Sequence, residues 1–436
     1  MIEYRSIRVG LLGAGSVGSQ VARLLLEHSD ELAQRVGARL ELVGIAVRDT
    51  SAKRDAELPA ELFTTDAESL ILGSDIVIEL VGGIEPARGL VLQAIGSGAD
   101  VVTGNKALLA SHGPELFAAA EQVGAQLSYE AAVAGAIPII RPLRESLAGD
   151  RVDRILGIVN GTTNFILDRM DTTGASLEDA LATATELGYA EADPTADIGG
   201  YDAAQKAAIL ASLAFHTSVP VEAVHREGIT EVSAAQVESA RKAGYVVKLL
   251  AICERLTDPE TGEEGVSARV YPALVPRSHP LAAVHGANNA VFVEASAAGP
   301  LMFYGAGAGG VQTASAVLGD LVAIARRRVS GGPGTAESTQ AEVPVLDIGR
   351  ITTRYAITLE VTDEPGVLEQ IARIFATHGV SVEQLQQSVS EGSQRATLVI
   401  GTHEAKESAL AETVAALAQS PVVASVASVL RVEGAV

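Results

Sequence analysis

From residue 7 to about 110, short apolar runs alternate with stretches of helical periodicity. Ile7–Leu12 is followed by a helical pattern over Val17–Leu26, then by the runs Leu40–Val47, Asp75–Val81 and Asp100–Thr103. That alternation predicts parallel βαβ units. Residues 150–300 are less regular, with strand-like runs at Arg154–Val159, Val266–Tyr271 and Val291–Glu294 set among Ala-rich helical stretches, and they predict an α+β domain. Residues 330–344 are polar and rich in Gly and Ser, the composition of a flexible linker. Beyond them the pattern reads strand (Tyr355–Val361), helix (Gly366–His378), strands (Ser381–Ser388, Arg395–Gly401), helix (Glu404–Gln419) and strand (Val422–Val432). The order βαββαβ is the ferredoxin-like plan.

At 436 residues the chain has room for two to four domains of roughly 100–200 residues each. Aromatic residues make up only 3% and Trp is absent, so the core must be built from Ala, Val, Leu and Ile. With 54 Asp+Glu against 32 Lys+Arg the formal charge is −22, which disfavours nucleic acid and anionic membranes as partners and favours small molecules. No apolar run reaches the roughly 18–20 residues that span a bilayer, and the N-terminus lacks a signal-peptide layout. A single cysteine, Cys253, allows neither an internal disulfide nor a thiolate metal site. A soluble, cytoplasmic protein is expected.

Gly13-Ala14-Gly15-Ser16-Val17-Gly18 follows the first strand directly and opens a helix. Gly13 permits the tight turn, Gly15 lets the backbone approach a pyrophosphate, and Gly18 allows close helix packing. Placed there, the fingerprint predicts a Rossmann-type dinucleotide site over residues 1–140. At the end of the second strand Arg48 favours a 2′-phosphate and hence NADP, whereas Asp49 keeps NAD open; a solvated Arg–Asp turn is the plain alternative. A second glycine run, Gly305 to Gly310 with Gly307 at its centre, precedes a helix from Val311 to about Arg328. The strand before it is short and poorly patterned, so it reads as a chain return over 300–330 that completes the nucleotide domain near the cofactor, with Gly307 as a cofactor-binding residue. Glu79 to Gly83 and Thr103-Gly-Asn105-Lys106 fall at strand ends, where ligands of open α/β sheets bind.

The chemistry is expected downstream. Asp202 and Lys206 share one face of a helix, and the neighbours of Lys206 are Ala203, Ile209, Leu210 and Leu213. Such a lysine is partly desolvated and oriented by the adjacent carboxylate, which makes it a candidate proton donor. Glu191, Asp193, Asp197 and Asp202 crowd four carboxylates into twelve residues. They read either as an acidic surface loop or as recognition of a substrate ammonium, with Glu191 best placed. The eight His are dispersed and give metal chemistry little support; Cys253 has no His nearby and reads as a small core residue.

Together these segments resemble the homoserine dehydrogenase family over residues 7–330. The resemblance is carried by the fingerprint, Thr103 to Ala107, Tyr129 to Ile140, Gly157 to Leu167, and Gly188 to Pro194 leading to Asp197, Asp202 and Lys206. It implies NAD(P)H-dependent reduction of L-aspartate 4-semialdehyde to L-homoserine, in threonine and methionine biosynthesis, by a homodimer or homotetramer. Residue by residue it implies Lys206 as proton donor, Lys106 holding substrate at the cofactor, and Glu191 with Asp202 binding the amino-acid end. It also implies a sodium ion at Glu130, Val133, Gly135 and Ile137, three of which have only a main-chain oxygen to offer. The last ninety residues resemble an ACT domain through their βαββαβ order and the Asp363 to Leu368 turn. That implies threonine feedback, or a domain that only dimerises.

The expected fold is thus α/β: the nucleotide domain, an α+β substrate and dimerisation domain over 141–300, a linker over 331–348, and an ACT-like domain over 349–436. Two other functions compete. A phosphorylating semialdehyde dehydrogenase would need a catalytic cysteine that Cys253 is badly placed to be. A non-catalytic sensor of NADP and amino acids would not need the Asp202/Lys206 pair.

Overall fold

Strand Ser6–Leu12 buries Ile7, Val9, Leu11 and Leu12 because both of its faces are covered, and it forms the centre of a six-stranded, wholly parallel sheet. The order is Phe63–Thr64, Arg39–Ala46, Ser6–Leu12, Ile76–Glu79, Asp100–Thr103, Leu127–Ser128. The structure, a computed structural model, describes residues 5–258, 261–332, 337, 341–389 and 395–434. It divides into two compact units, each assembled from three stretches of chain.

The first unit comprises residues 1–159, 205–222 and 288–342. Its helix Gly310–Ser330 packs Ala314, Val317, Leu321 and Ile324 into the core formed with Val21, Ala22 and Leu25 of the fingerprint helix Ser16–Glu27. The strand ahead of that long helix is better formed than its sequence suggests. Gly299–Ala306 runs eight residues, antiparallel to Asn288–Ala295, with its exposure alternating along the strand. An antiparallel strand cannot begin a βαβ unit, so the second glycine run is not a nucleotide fingerprint.

The second unit comprises residues 160–204, 223–287 and 343–436. Strands Tyr245–Thr257 and Glu264–Pro276 form a long antiparallel hairpin of thirteen residues each. The C-terminal strands pair in the order Val423–Val432, Tyr355–Thr362, Arg395–Thr402, Val382–Val389. Helices Val367–Thr377 and Glu407–Ala418 share with these strands a core of Ile357, Leu359, Ile371, Phe375, Leu398, Ile400, Leu410 and Leu417. The second helix starts three residues later than its sequence pattern, because Ala405–Lys406 is drawn into a ladder with Thr352–Thr353 and the Glu407 amide donates to Ile351 O.

The units interleave along the chain, and the C-terminal sheet is continuous with the hairpin through parallel pairing of Ala273 with Arg431 and Leu274 with Val432. Of the expected linker, residues 333–336 and 338–340 lie outside the described residues. Glu337 pairs with Arg144 and accepts from the Tyr129 hydroxyl, and Leu346 is buried with its amide bonded to Val266 O. Among the described residues no helix is long and apolar enough to cross a membrane.

Candidate active site

In the first unit the fingerprint turn is built as its glycines require. Gly13 has φ +95°, and a Cβ there would lie 2.6 Å from Leu80 O; a Cβ on Gly18 would lie 2.2 Å from Gly13 O. Gly15, the N-cap of helix Ser16–Glu27, has no atom within 4 Å of where its Cβ would stand. An open glycine at a helix N-terminus leaves room for an anion at the first-turn amides. Ala14 is buried, Ser16 is exposed, and Val17 packs on the core. The return passes directly beneath, since a Cβ on Gly310 would meet Ser16 O at 2.8 Å.

Arg48 is exposed. Asp49 accepts both the amide and the hydroxyl of Ser51, at 2.8 and 2.7 Å, and these bonds hold its carboxyl below the usual range. Both of these bonds fall on Oδ1. At the neighbouring strand ends Glu79 accepts from Val81 N, Gly82 N and the Thr103 hydroxyl, and Thr103 Oγ1 accepts from Asn105 N. Asn105 caps helix Lys106–Val123 by accepting from Leu108 N and donates to Gly83 O. The side chains of Thr103 and Asn105 therefore build the ledge on which Lys106, the first helical residue, stands.

Glu130 is buried, and its carboxylate accepts the amides of Ile139 at 2.5 Å, Ile140 at 2.7 Å and Arg141 at 3.0 Å. Its own amide donates to Asp320, whose carboxyl burial pushes up to about 7. Between Glu130 and Ile137 the chain takes two successive positive φ values, 59° at Ala134 and 60° at Gly135. Gly135 and Gly307 are in contact: a Cβ on Gly135 would lie 2.3 Å from Gly307 O. The side chain of Asn289 occupies the space where a Cβ on Gly307 would be, and its amide is buried without a hydrogen-bond partner among the described residues. A buried amide left unpaired in a native fold points to a polar ligand or ordered water. Sequence reasoning did not single out Asn289; an Asn pair before an apolar run carries no signal of its own.

Lys206 also belongs to the first unit, on helix Tyr201–Phe215, and is 8% exposed. Its ammonium donates to Val159 O at 2.6 Å.

In the second unit the acidic residues sort into two groups. Asn160 donates one amide group to both Asp197 Oδ1, at 2.6 Å, and Asp202 Oδ2, at 3.0 Å, while its oxygen caps helix Gly161–Thr173 by accepting from Thr163. Asp202 is buried and Asp197 half-buried. Glu191 is exposed on a loop fixed by the Thr162 hydroxyl bonding to Tyr189 O, and Asp193 turns back to cap Thr195 N. Asn160 is the organising residue missed by the sequence reading; its signal was the cap spacing of Asn160 to Thr163. Cys253 is fully buried in strand Tyr245–Thr257. Among the described residues no group of three or more His, Cys, Asp or Glu could hold a metal ion.

Comparison with known proteins gives three family matches: "Homoserine dehydrogenase, NAD binding domain" over residues 13–130, "Homoserine dehydrogenase" over 138–322, and "ACT domain" over 355–421. The chain is 54% identical over 430 residues to homoserine dehydrogenase of Corynebacterium glutamicum, covering 98% of this chain and 96% of that one. It is 56% identical over 438 residues to the Mycobacterium tuberculosis homoserine dehydrogenase, covering 99% of each. Among solved structures, the homoserine dehydrogenase of Thiobacillus denitrificans aligns with TM-score 0.90 and 40% identity over 98% of both chains. A hyperthermophilic archaeal homoserine dehydrogenase in complex with NADPH aligns with TM-score 0.61 and 28% identity, over 75% of this chain and 99% of that one.

Proposed function

Because the chain belongs to the homoserine dehydrogenase family, oxidoreductases that interconvert L-homoserine and L-aspartate 4-semialdehyde with a nicotinamide cofactor, we propose a specific division of labour among its residues. The observation that carries it is the buried pair on one helix, Asp202 and Lys206, each with its own oriented hydrogen bond.

The open Gly15 and the first-turn amides of Ser16–Glu27 hold the pyrophosphate, and Arg48 neutralises a 2′-phosphate, which makes NADP the preferred cofactor over NAD. The orphaned Asn289 amide beside Gly307 gives the same unit an unused polar group for a ligand. When bound, the cofactor supplies or accepts the hydride at the substrate's C4. Asp202, with Glu191, takes the substrate's ammonium. Lys206 stands one helical turn from Asp202, stabilises the charge that develops on the aldehyde oxygen, and gives it a proton. The main-chain carbonyl of Val159 orients that ammonium. Lys106 holds substrate from its ledge at the strand ends.

The loop from Glu130 to Ile137 suits a monovalent cation such as sodium through the main-chain oxygens of Glu130, Val133, Gly135 and Ile137. With the Glu130 carboxylate engaged by three amides, only the main-chain oxygen of that residue is left for a ligand role. The ACT domain is assigned to amino-acid regulation, with threonine as the effector, in a cytoplasmic homodimer or homotetramer.

Homoserine-dependent reduction of NADP+, followed by absorbance, tests the assignment. Repeating it with NAD+, with threonine, and with choline in place of sodium tests the finer points. No absorbance change with either cofactor would favour a non-catalytic sensor.

A further inference from the structure

The segment His225–Ile229 sits between the C-terminal domain and the start of the helix that carries Asp202, all within the second unit. It pairs in parallel with the hairpin, His225 against Arg269 and Arg226 against Val270, and Glu227 N donates to Val270 O at 2.8 Å. On its other side Ile229 N donates to Ile198 O at 2.8 Å. The fit leaves no slack: a Cβ on Gly228 would lie 2.2 Å from Ile198 O, and one on Gly200 would lie 3.3 Å from Arg226 Cγ.

Arg226 and Glu227 point to opposite neighbours. The Arg226 guanidinium lies 3.5 Å from the centre of the Tyr201 ring and donates to Gly199 O, so it grips the two residues that flank Gly200 and lead into Asp202. Cation–π stacking and a charge-assisted bond on one planar fork fix both position and orientation. Glu227 receives both ends of the Arg431 fork, at 2.8 and 2.9 Å. Arg431 also donates through Nε to Glu407 at 2.8 Å, and Glu407 accepts from the Tyr355 hydroxyl at 2.7 Å. Glu407 opens helix Glu407–Ala418, one of the two helices of the C-terminal domain. Charge-assisted bonds thus run from that helix to Glu227, and the backbone of the short strand joins Glu227 to Arg226, whose own bonds reach the residues preceding Asp202.

We propose that Arg226 is a positioning residue for the substrate-binding carboxylate Asp202, and that the C-terminal domain sets its position through the Arg431–Glu227 ion pair. The proposal rests on the assignment of Asp202 to substrate binding. It places regulation within a single chain: any change at the start of helix Glu407–Ala418 is felt at Gly199 and Tyr201 through two adjacent residues of one short strand.

Steady-state kinetics on the full chain test it. Arg226→Lys keeps the charge but loses the fork, and is expected to raise the KM for homoserine about tenfold with the KM for NADP+ within twofold, since small displacements at a binding site have large kinetic effects. Glu227→Gln and Arg431→Gln are expected to shift the homoserine KM in the same direction, and the double variant no further than the worse single one. Should Arg226→Lys fail to fold, Tyr201→Leu, which removes the stacked ring alone, carries the same expectation. A homoserine KM within twofold of wild type in folded variants overturns the proposal. So does an equal rise in both KM values, or additive effects in the double variant. A wild type without homoserine-dependent NADP+ reduction overturns the assignment on which it rests, and the proposal with it.

Discussion

The ammonium of Lys206 is held 2.6 Å from the main-chain oxygen of Val159. That bond fixes the direction in which the buried group points. Lys206→Ala is expected to lower kcat by about 10²–10⁴-fold, the range for losing a positioned proton donor. NADPH affinity, measured by fluorescence titration, should stay within about twofold because the nucleotide is held by other residues.

Asn160 bridges two carboxylates, those of Asp197 and Asp202. Replacing it by Ala removes one donor that Asp197 and Asp202 share, and hydrogen bonds to charged groups are worth about 1.5–3 kcal/mol. The homoserine KM is expected to rise about tenfold or more. Asn160→Asp adds a third negative charge at the same place and should be worse than Ala. An Asp variant that matched Ala would show that charge is not what Asn160 controls.

The proposed preference for NADP turns on two neighbouring residues. Asp49 is tied to Ser51 and Arg48 is exposed, so Arg48→Ala should raise the KM for NADP+ by about tenfold, the worth of one charge-assisted bond, and leave that for NAD+ within twofold. Equal losses with both cofactors would remove Arg48 from phosphate recognition.

Lys248 gives a pH signature. It is 2% exposed, with its ammonium donating to Asn164 Oδ1 at 2.9 Å and Val284 O at 2.6 Å. Burial pushes its pKa down to about 8, with Asp168 and Asp171 opposing the shift. Between that value and the unfolded value of about 10.4 the unfolded chain binds more protons than the folded one, so stability gained from this residue rises with pH across that window. Relative to Lys248→Met, the wild type should gain on the order of 3 kcal/mol from below pH 8 to above pH 10. Denaturant titrations of both proteins at pH 7, 9 and 10.5 measure the difference, and a flat difference would mean that Lys248 is not strained by its burial.

The sequence showed what depends on local spacing. The strand and glycine turn of the fingerprint, and the i, i+4 pair of Asp202 and Lys206, are short-range patterns whose geometry follows from the backbone. Long-range commitments were not legible. Nothing in the run around Glu130 foretells that its carboxylate is taken by amides nine to eleven residues on. Asn160 appears in sequence as a cap, and its second task depends on residues 37 and 42 positions away. Gly-rich composition reads as a tether and carries no sign of the contact that Glu337 makes with Arg144 or of the burial of Leu346.

The pairing of Ala273 with Arg431 makes the last strand of the chain an edge cover. A chain cut near residue 345 would leave strand Glu264–Pro276 with unpaired main-chain groups and would strip Leu346 from Gly265, turning a closed edge into one open to other chains. Truncated forms of this enzyme would therefore report on aggregation before they report on regulation.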